Sequence, residues 1–135
     1  MDSKSRPQGR QIIMRIILLA EDDRGVGDAL KSLLQEYYYK VILVVDGKEA
    51  VEQAKNADLL ILDKHMPMIP GPIVYNIIRK RNTSMPIILV SGDISNLFAP
   101  NNDPYLRVLA KPFNIYNLFH VIEELLGGPN NCTNS

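Results

Sequence analysis

The sequence predicts an α/β protein built on a doubly wound, five-stranded parallel sheet with helices on both faces. Three observations predict it. Aliphatic runs such as Arg15-Ile16-Ile17-Leu18-Leu19-Ala20 and Leu59-Leu60-Ile61-Leu62 are too short for helices. They also lack polar alternation, the pattern of strands buried on both sides. Between such runs, apolar residues recur at helical spacing. Strand and helix then alternate five times along 135 residues, an order that right-handed crossovers wind into one parallel sheet.

The first strand, Arg15 to Ala20, leads to a helix from about Arg24 to Tyr38. Asp23 serves as its cap, and Val26, Ala29, Leu30, Leu33, Leu34 and Tyr37 share its apolar face. Tyr37-Tyr38-Tyr39 reads as a helix-to-strand junction with its rings on the surface. The second strand is Val41-Ile42-Leu43-Val44-Val45. Asp46, followed three residues later by Glu49, resembles a capping box that opens a short helix carrying Ala50, Val51 and Ala54. The third strand ends at Asp63, and a loop containing Met66 and Met68, which pack or flank it, runs to Gly71. Pro72, at a first helical position, then starts a helix that buries Ile73, Val74, Ile77 and Ile78.

Pro86 introduces the fourth strand, Ile87 to Val90, which delivers Ser91, Gly92 and Asp93 to the same sheet edge. Pro100 and Pro104 flank Asn101-Asn102-Asp103, so the fourth helix is short or irregular, ending near Ala99. The fifth strand is Leu106 to Ala110. Asn114 caps a last helix with Leu118, Val121, Ile122 and Leu125 on one face, stopping at Gly127-Gly128. With five strands, the flavodoxin-like order 2-1-3-4-5 sets the first and third strands side by side.

A chain of this length suits one domain, read here as residues 14–127 between a flexible N-terminal segment, 1–13, and a flexible C-terminal tail, 128–135. Fifteen basic and fifteen acidic residues give zero formal charge. Without a basic stripe, direct contact with nucleic acid or an anionic membrane has no electrostatic basis. Cys132 is the only cysteine, which excludes an internal disulfide and a cysteine metal cage and fits a reducing, cytoplasmic setting. No apolar run approaches the roughly 20 residues of a membrane span, and no secretory signal pattern opens the chain.

The predicted order brings Glu21 and Asp22, after the first strand, beside Asp63, at the end of the third. Carboxyl ends of parallel strands are where ligands collect in such sheets. Each pair of carboxylates at about 4 Å costs on the order of 4 kcal/mol at an effective dielectric near 20, so a cation must offset them. A hard divalent ion, Mg²⁺, suits this all-oxygen donor set, and no Cys or His pair is present for zinc. Lys111, at the end of the fifth strand, is a second cation for the same edge. Together these groups suit a phosphoryl acceptor.

Four segments carry a family resemblance: Ile17-Leu18-Leu19-Ala20-Glu21-Asp22-Asp23; Leu60-Ile61-Leu62-Asp63-Lys64-His65-Met66-Pro67 with Gly71; Leu89-Val90-Ser91-Gly92; and Ala110-Lys111-Pro112-Phe113. In that order, each at a strand end, they resemble the receiver domain of two-component response regulators, from about Arg15 to Leu126. The resemblance implies that Asp63 is the phosphoacceptor, supplied by a histidine kinase or phosphotransfer protein. It implies that Glu21, Asp22 and Asp63, with the backbone carbonyl of His65, hold Mg²⁺, Asp22 ligating directly. Ser91 would be the hydroxyl that follows the phosphoryl group, with small Gly92 leaving space for its loop to close, and Lys111 the catalytic-site lysine, joined to Pro112 by a cis peptide bond. The implied function is a switch with an unknown downstream protein partner, and not an enzyme acting on external substrates.

Two departures stand out. Val108 occupies the position three before Lys111 where relatives carry Tyr or Phe, so an aromatic rotamer is not available as a readout. The proline-rich segment before the fifth strand also alters a face that relatives use for partners. Lys64, His65 and Asp93 occupy places suited to tuning the phosphoryl lifetime. Val108 and the irregular fourth helix keep open a pseudo-receiver that binds a partner without being phosphorylated. A haloacid-dehalogenase-type phosphatase fits poorly because its Asp-x-Asp pair is absent. A flavodoxin would place its phosphate against Glu21-Asp22-Asp23. Both a free-standing regulator and a receiver from a hybrid kinase remain compatible with the chain.

Overall fold

The computed structural model describes residues 10–12, 14–93, 102–127 and 132–134. Its main sheet contains β2 (Ile16–Ala20), β3 (Lys40–Val44), β4 (Leu59–Asp63), β5 (Ile87–Ser91) and β6 (Leu106–Ala110), in the order β3-β2-β4-β5-β6. All four pairings are parallel. Counting these five strands alone, the order is the expected 2-1-3-4-5. β4 and β5 are buried along their whole length, which explains why their sequences do not alternate.

Among the described residues there are four α-helices: α1 (Arg24–Glu36), α2 (Gly47–Gln53), α3 (Gly71–Arg81) and α4 (Ile115–Leu126). Alternate strand residues feed two cores. Leu18, Leu60, Leu62 and Leu89 pack with Ala50, Val74 and Ile78 of α2 and α3. Ile17, Leu19, Ile61 and Ile88 pack with Leu30 and Leu34 of α1 and with Leu118 and Ile122 of α4. Fully burying one such side chain stabilises the fold by roughly 1.5–3 kcal/mol.

Helix boundaries follow local chemistry. Asp23 caps α1 by accepting from the Val26 N–H at 3.1 Å, and Asp46 caps α2 by accepting from the Glu49 N–H at 2.8 Å. The return arm of that box differs from the sequence reading, because Glu49 Oε1 accepts from the Val45 N–H, at 3.1 Å, one residue before the cap. A single 3₁₀ turn, Ala54–Asn56, follows α2. Pro72 is the second residue of α3, since Pro70 takes the cap position and Gly71 the first. Asn114 caps α4, and Gly127 ends it at φ 78°.

Three expectations change. Val26 and Leu33 are exposed, so α1 buries a narrower face of Gly27, Leu30 and Leu34. Ile73 is likewise exposed on α3. Of the three junction tyrosines only Tyr38 and Tyr37 reach the surface. Tyr39 is buried, its hydroxyl has no hydrogen-bond partner among the described residues, and burial pushes its pKa up to about 12. Residues 94–101, which hold most of the expected fourth helix, lie outside the described residues. Outside the main sheet, β1 (Arg10–Ile12) pairs antiparallel with β7 (Cys132–Asn134), in segments read from the sequence as flexible.

Candidate functional site

The carboxyl edge of the sheet gathers the predicted residues. β2 ends where Glu21 begins, and the Glu21 N–H donates to the Val44 carbonyl at 3.0 Å, which anchors the acid against β3. β4 carries Asp63 as its last residue. One carboxylate oxygen from each of Glu21, Asp22 and Asp63 lies within 4.8 Å of the others. Glu21 and Asp63 are buried, whereas Asp22 is exposed. The donor set is hard and anionic, so it fits a hard divalent cation that retains water on its open side.

Lys111 reaches this cluster from the end of β6. Its Nζ donates to Asp63 Oδ2 at 2.7 Å and lies 3.6 Å from Glu21 Oε1. The other Asp63 oxygen, Oδ1, accepts from the His65 N–H at 2.9 Å. Asp63 is thus fixed at both oxygens. Glu21 is fixed at Oε2 by the Asp23 N–H at 3.1 Å. Burial raises the Glu21 pKa, against the Asp23 hydrogen bond and the Lys111 charge. Burial alone would lower that of Lys111, but the hydrogen bond and charge of Asp63, with Glu21, outweigh it and raise it.

Ser91 arrives at the same edge, paired in register with Ala110, and its carbonyl accepts from the Lys111 N–H at 2.8 Å. Its hydroxyl is not hydrogen-bonded to Asp63 among the described residues. It accepts instead from the Asp93 N–H at 3.1 Å and contacts the Asp93 carbonyl at 3.2 Å. A Cβ added at Gly92 would meet nothing within 4 Å. The His65 side chain is exposed. The Lys111–Pro112 peptide is cis. Val108 is half-buried beside Leu89 on the α2 and α3 side.

Gly71 has a local role that its place in the motif did not reveal. A Cβ there would lie 2.5 Å from the Asp63 carbonyl oxygen and 2.8 Å from Lys64 Cα, so only glycine lets α3 start against the end of β4. The Gly71 N–H also donates to the Lys64 carbonyl at 2.9 Å. Met66 is buried in the intervening loop, while Met68 is exposed at φ 71°. Beneath the carboxylates a cavity of about 30 Å³ is bordered by Val26 and Phe113 as well as Glu21, Asp63 and Lys111. Val26 carries no sequence signal for this placement, whereas Phe113 belongs to the motif at the end of the fifth strand. Most of its lining is apolar, and the space is too small for an organic substrate.

Fold and edge together define a doubly wound α/β domain with an acid triad and a lysine at its topological switch point. The family model for the response regulator receiver domain matches residues 17–123, and the chain belongs to that family. It is 30% identical over 117 residues to transcription factor SKN7 of Candida albicans, covering 84% of this chain and 21% of that protein. It is 31% identical over 116 residues to the sensor kinase CckA of Brucella abortus, covering 82% of this chain and 12% of that one. The chain therefore spans a small part of these relatives. Among solved structures it resembles the receiver domain of the Pseudomonas aeruginosa PAO1 sensor histidine kinase PA1611, whose active-site cleft coordinates a magnesium ion. That match has 27% identity and a TM-score of 0.75, and covers 86% of this chain and 100% of the other. None of the helices among the described residues is long and apolar enough to cross a membrane.

Proposed function

We propose that this domain, residues 14–127, is a phosphoryl-accepting switch in a two-component phosphorelay, with Asp63 taking the phosphoryl group from a phosphohistidine. The observation that carries the reading is the Lys111 ammonium 2.7 Å from Asp63 at an edge where two further carboxylates meet. An Asp63 oxygen forms a bond to phosphorus as the P–N bond breaks, and that electron pair leaves with the imidazole. The product is an acyl phosphate on Asp63. Lys111 stabilises the charge on the equatorial oxygens. Mg²⁺, held by Glu21, Asp22, Asp63 and the His65 carbonyl, supplies charge neutralisation at the phosphoryl oxygens when bound.

The donor is the phosphohistidine of a histidine kinase or phosphotransfer protein, consistent with the family to which the chain belongs. Ser91 leaves its local contact with Asp93 to donate to a new phosphoryl oxygen, biasing a pre-existing conformation that alters binding of a downstream protein. Val108 lacks a ring to report this shift, so an aromatic rotamer does not carry the readout. The domain turns over no external substrate and acts in the cytoplasm, without direct contact to nucleic acid or membrane.

The test is incubation with Mg²⁺ and acetyl phosphate, read by intact mass. The expected result is one phosphoryl adduct, lost in Asp63→Asn. Absence of the adduct with both acetyl phosphate and a purified kinase would favour a pseudo-receiver, and steady hydrolysis of phosphate esters would favour a phosphatase.

A further inference from the structure

Among the described residues, β3 is an outer strand of the main sheet, hydrogen-bonded only to β2. The Lys40 N–H donates to the Arg15 carbonyl at 3.0 Å, and the Val44 carbonyl accepts from Glu21 at 3.0 Å. Lys40, Ile42 and Val44 therefore turn their backbone groups inward, and by the alternation of a strand Val41 and Leu43 turn theirs outward. The next outward N–H, that of Val45, is closed off by Glu49. Within β3, among the described residues, four outward backbone groups remain available: the N–H and C=O of Val41 and of Leu43.

We propose that β3 pairs antiparallel with β3 of a second copy of this chain, around a two-fold axis at Ile42. Only this register uses all four groups. Val41 exchanges two hydrogen bonds with Leu43 of the other copy, and symmetry repeats the exchange. Ile42 then faces its own equivalent in a pair without hydrogen bonds, where side chains approach most closely. Space exists for an incoming strand, because recesses of about 490 Å³ and about 430 Å³ border the two ends of β3.

Charge selects the second copy over an unrelated extended peptide. The start of β3 carries exposed Lys40, while exposed Glu49 and Glu52 border the recess at its end. Antiparallel pairing brings Lys40 of each copy opposite Val44 of the other, beside that copy's acidic pair, on the α2 side of the sheet. A strand with charge of one sign would leave one end unmatched. Apart from Lys40, β3 lacks the prolines, bulges or inward charges that blunt an open edge. The contact is short, so the association is weak and salt-sensitive.

Sedimentation of the unphosphorylated chain over a concentration series tests this independently of phosphotransfer. Dimer should grow with concentration and fall with salt. Lys40→Glu should weaken it about tenfold, and adding Glu52→Lys should restore it. Val41→Pro removes an outward N–H and should abolish pairing, with circular dichroism verifying the monomer fold. In a Cys132→Ser background, Ile42→Cys should form a disulfide-linked dimer on mild oxidation, and Lys40→Cys should not. A chain that stays monomeric at millimolar concentration overturns the proposal, as does a dimer indifferent to Lys40→Glu or an Ile42→Cys variant that fails to cross-link.

Discussion

Burial alone would favour a neutral Lys111, yet Asp63 and Glu21 hold the ammonium so firmly that its pKa is raised. A lysine raised in this way contributes its stability in full below its ordinary range and loses it only as the pH climbs through the higher folded value. At neutral pH it is the cation that offsets the acid cluster. Replacing it by alanine should therefore keep the fold and most metal binding, but lower metal-free stability by about 1 kcal/mol after solvent screening. Thermal melts in EDTA and in Mg²⁺ check this: Mg²⁺ should raise the Tm of Lys111→Ala more than that of the parent.

Asp103 shows the opposite sign. Burial pushes its pKa up, but hydrogen bonds from the Tyr75 hydroxyl, the Tyr105 N–H and Arg79 outweigh burial and lower it. Arg79 Nε donates to Asp103 Oδ2 at 2.9 Å, and Nη1 donates to the Met85 carbonyl at 2.7 Å. The guanidinium thus ties α3 to the segments that lead into β5 and β6. The stability from Asp103 is present above the ordinary aspartate range and is lost as the pH falls through its lower folded value. Asp103→Asn should cost roughly 1–3 kcal/mol at pH 7 in urea titrations, and the difference from the parent should shrink in strong acid.

Among elements, α3 is placed most tightly relative to the acceptor. Gly71→Ala forces a methyl group against the Asp63 carbonyl, so it should destabilise by about 1–3 kcal/mol and slow phosphorylation of Asp63. A variant with parent-like melting and phosphorylation would show that α3 can shift freely. The elements were largely legible because strands of five residues leave a mainly aliphatic run, and four of the five runs stop at a residue of the site: Glu21, Asp63, Ser91 and Lys111. Tyr39 was misread because it lies beyond α1 and outside the run of β3, so neither period applies to it. The partnership of Asp103 with Tyr75 and Arg79 was invisible, since Asp103 lies 28 and 24 residues from them, outside any helix, and shares no repeat with them.

At the scale of the whole molecule, the two cores meet at β2, β4 and β5, each covered on both faces. Amide hydrogen exchange should be slowest in these strands, requiring global unfolding, and faster in β3 and at the ends of β6. Equal protection across the sheet would contradict that gradient. The overall topology was readable because a strict strand–helix alternation permits few right-handed windings. The pairing of β1 with β7 was not, because polar terminal segments carry no hydrophobic period.

Gly47 marks a further limit. Its N–H donates to the Pro67 carbonyl at 2.9 Å, and a Cβ there would sit 2.0 Å from the Ile69 carbonyl oxygen. Gly25, by contrast, would place its Cβ at an ordinary 3.4 Å from Asp23. In a saturation-mutagenesis library sorted for folded protein, codon 47 should return almost nothing but the parental amino acid, while codon 25 should return many. The turn after the acceptor strand and the opening of α2 are thus wedged together with no tolerance for a single added carbon, and any homologue design that recombines those two stretches must inherit both from one parent.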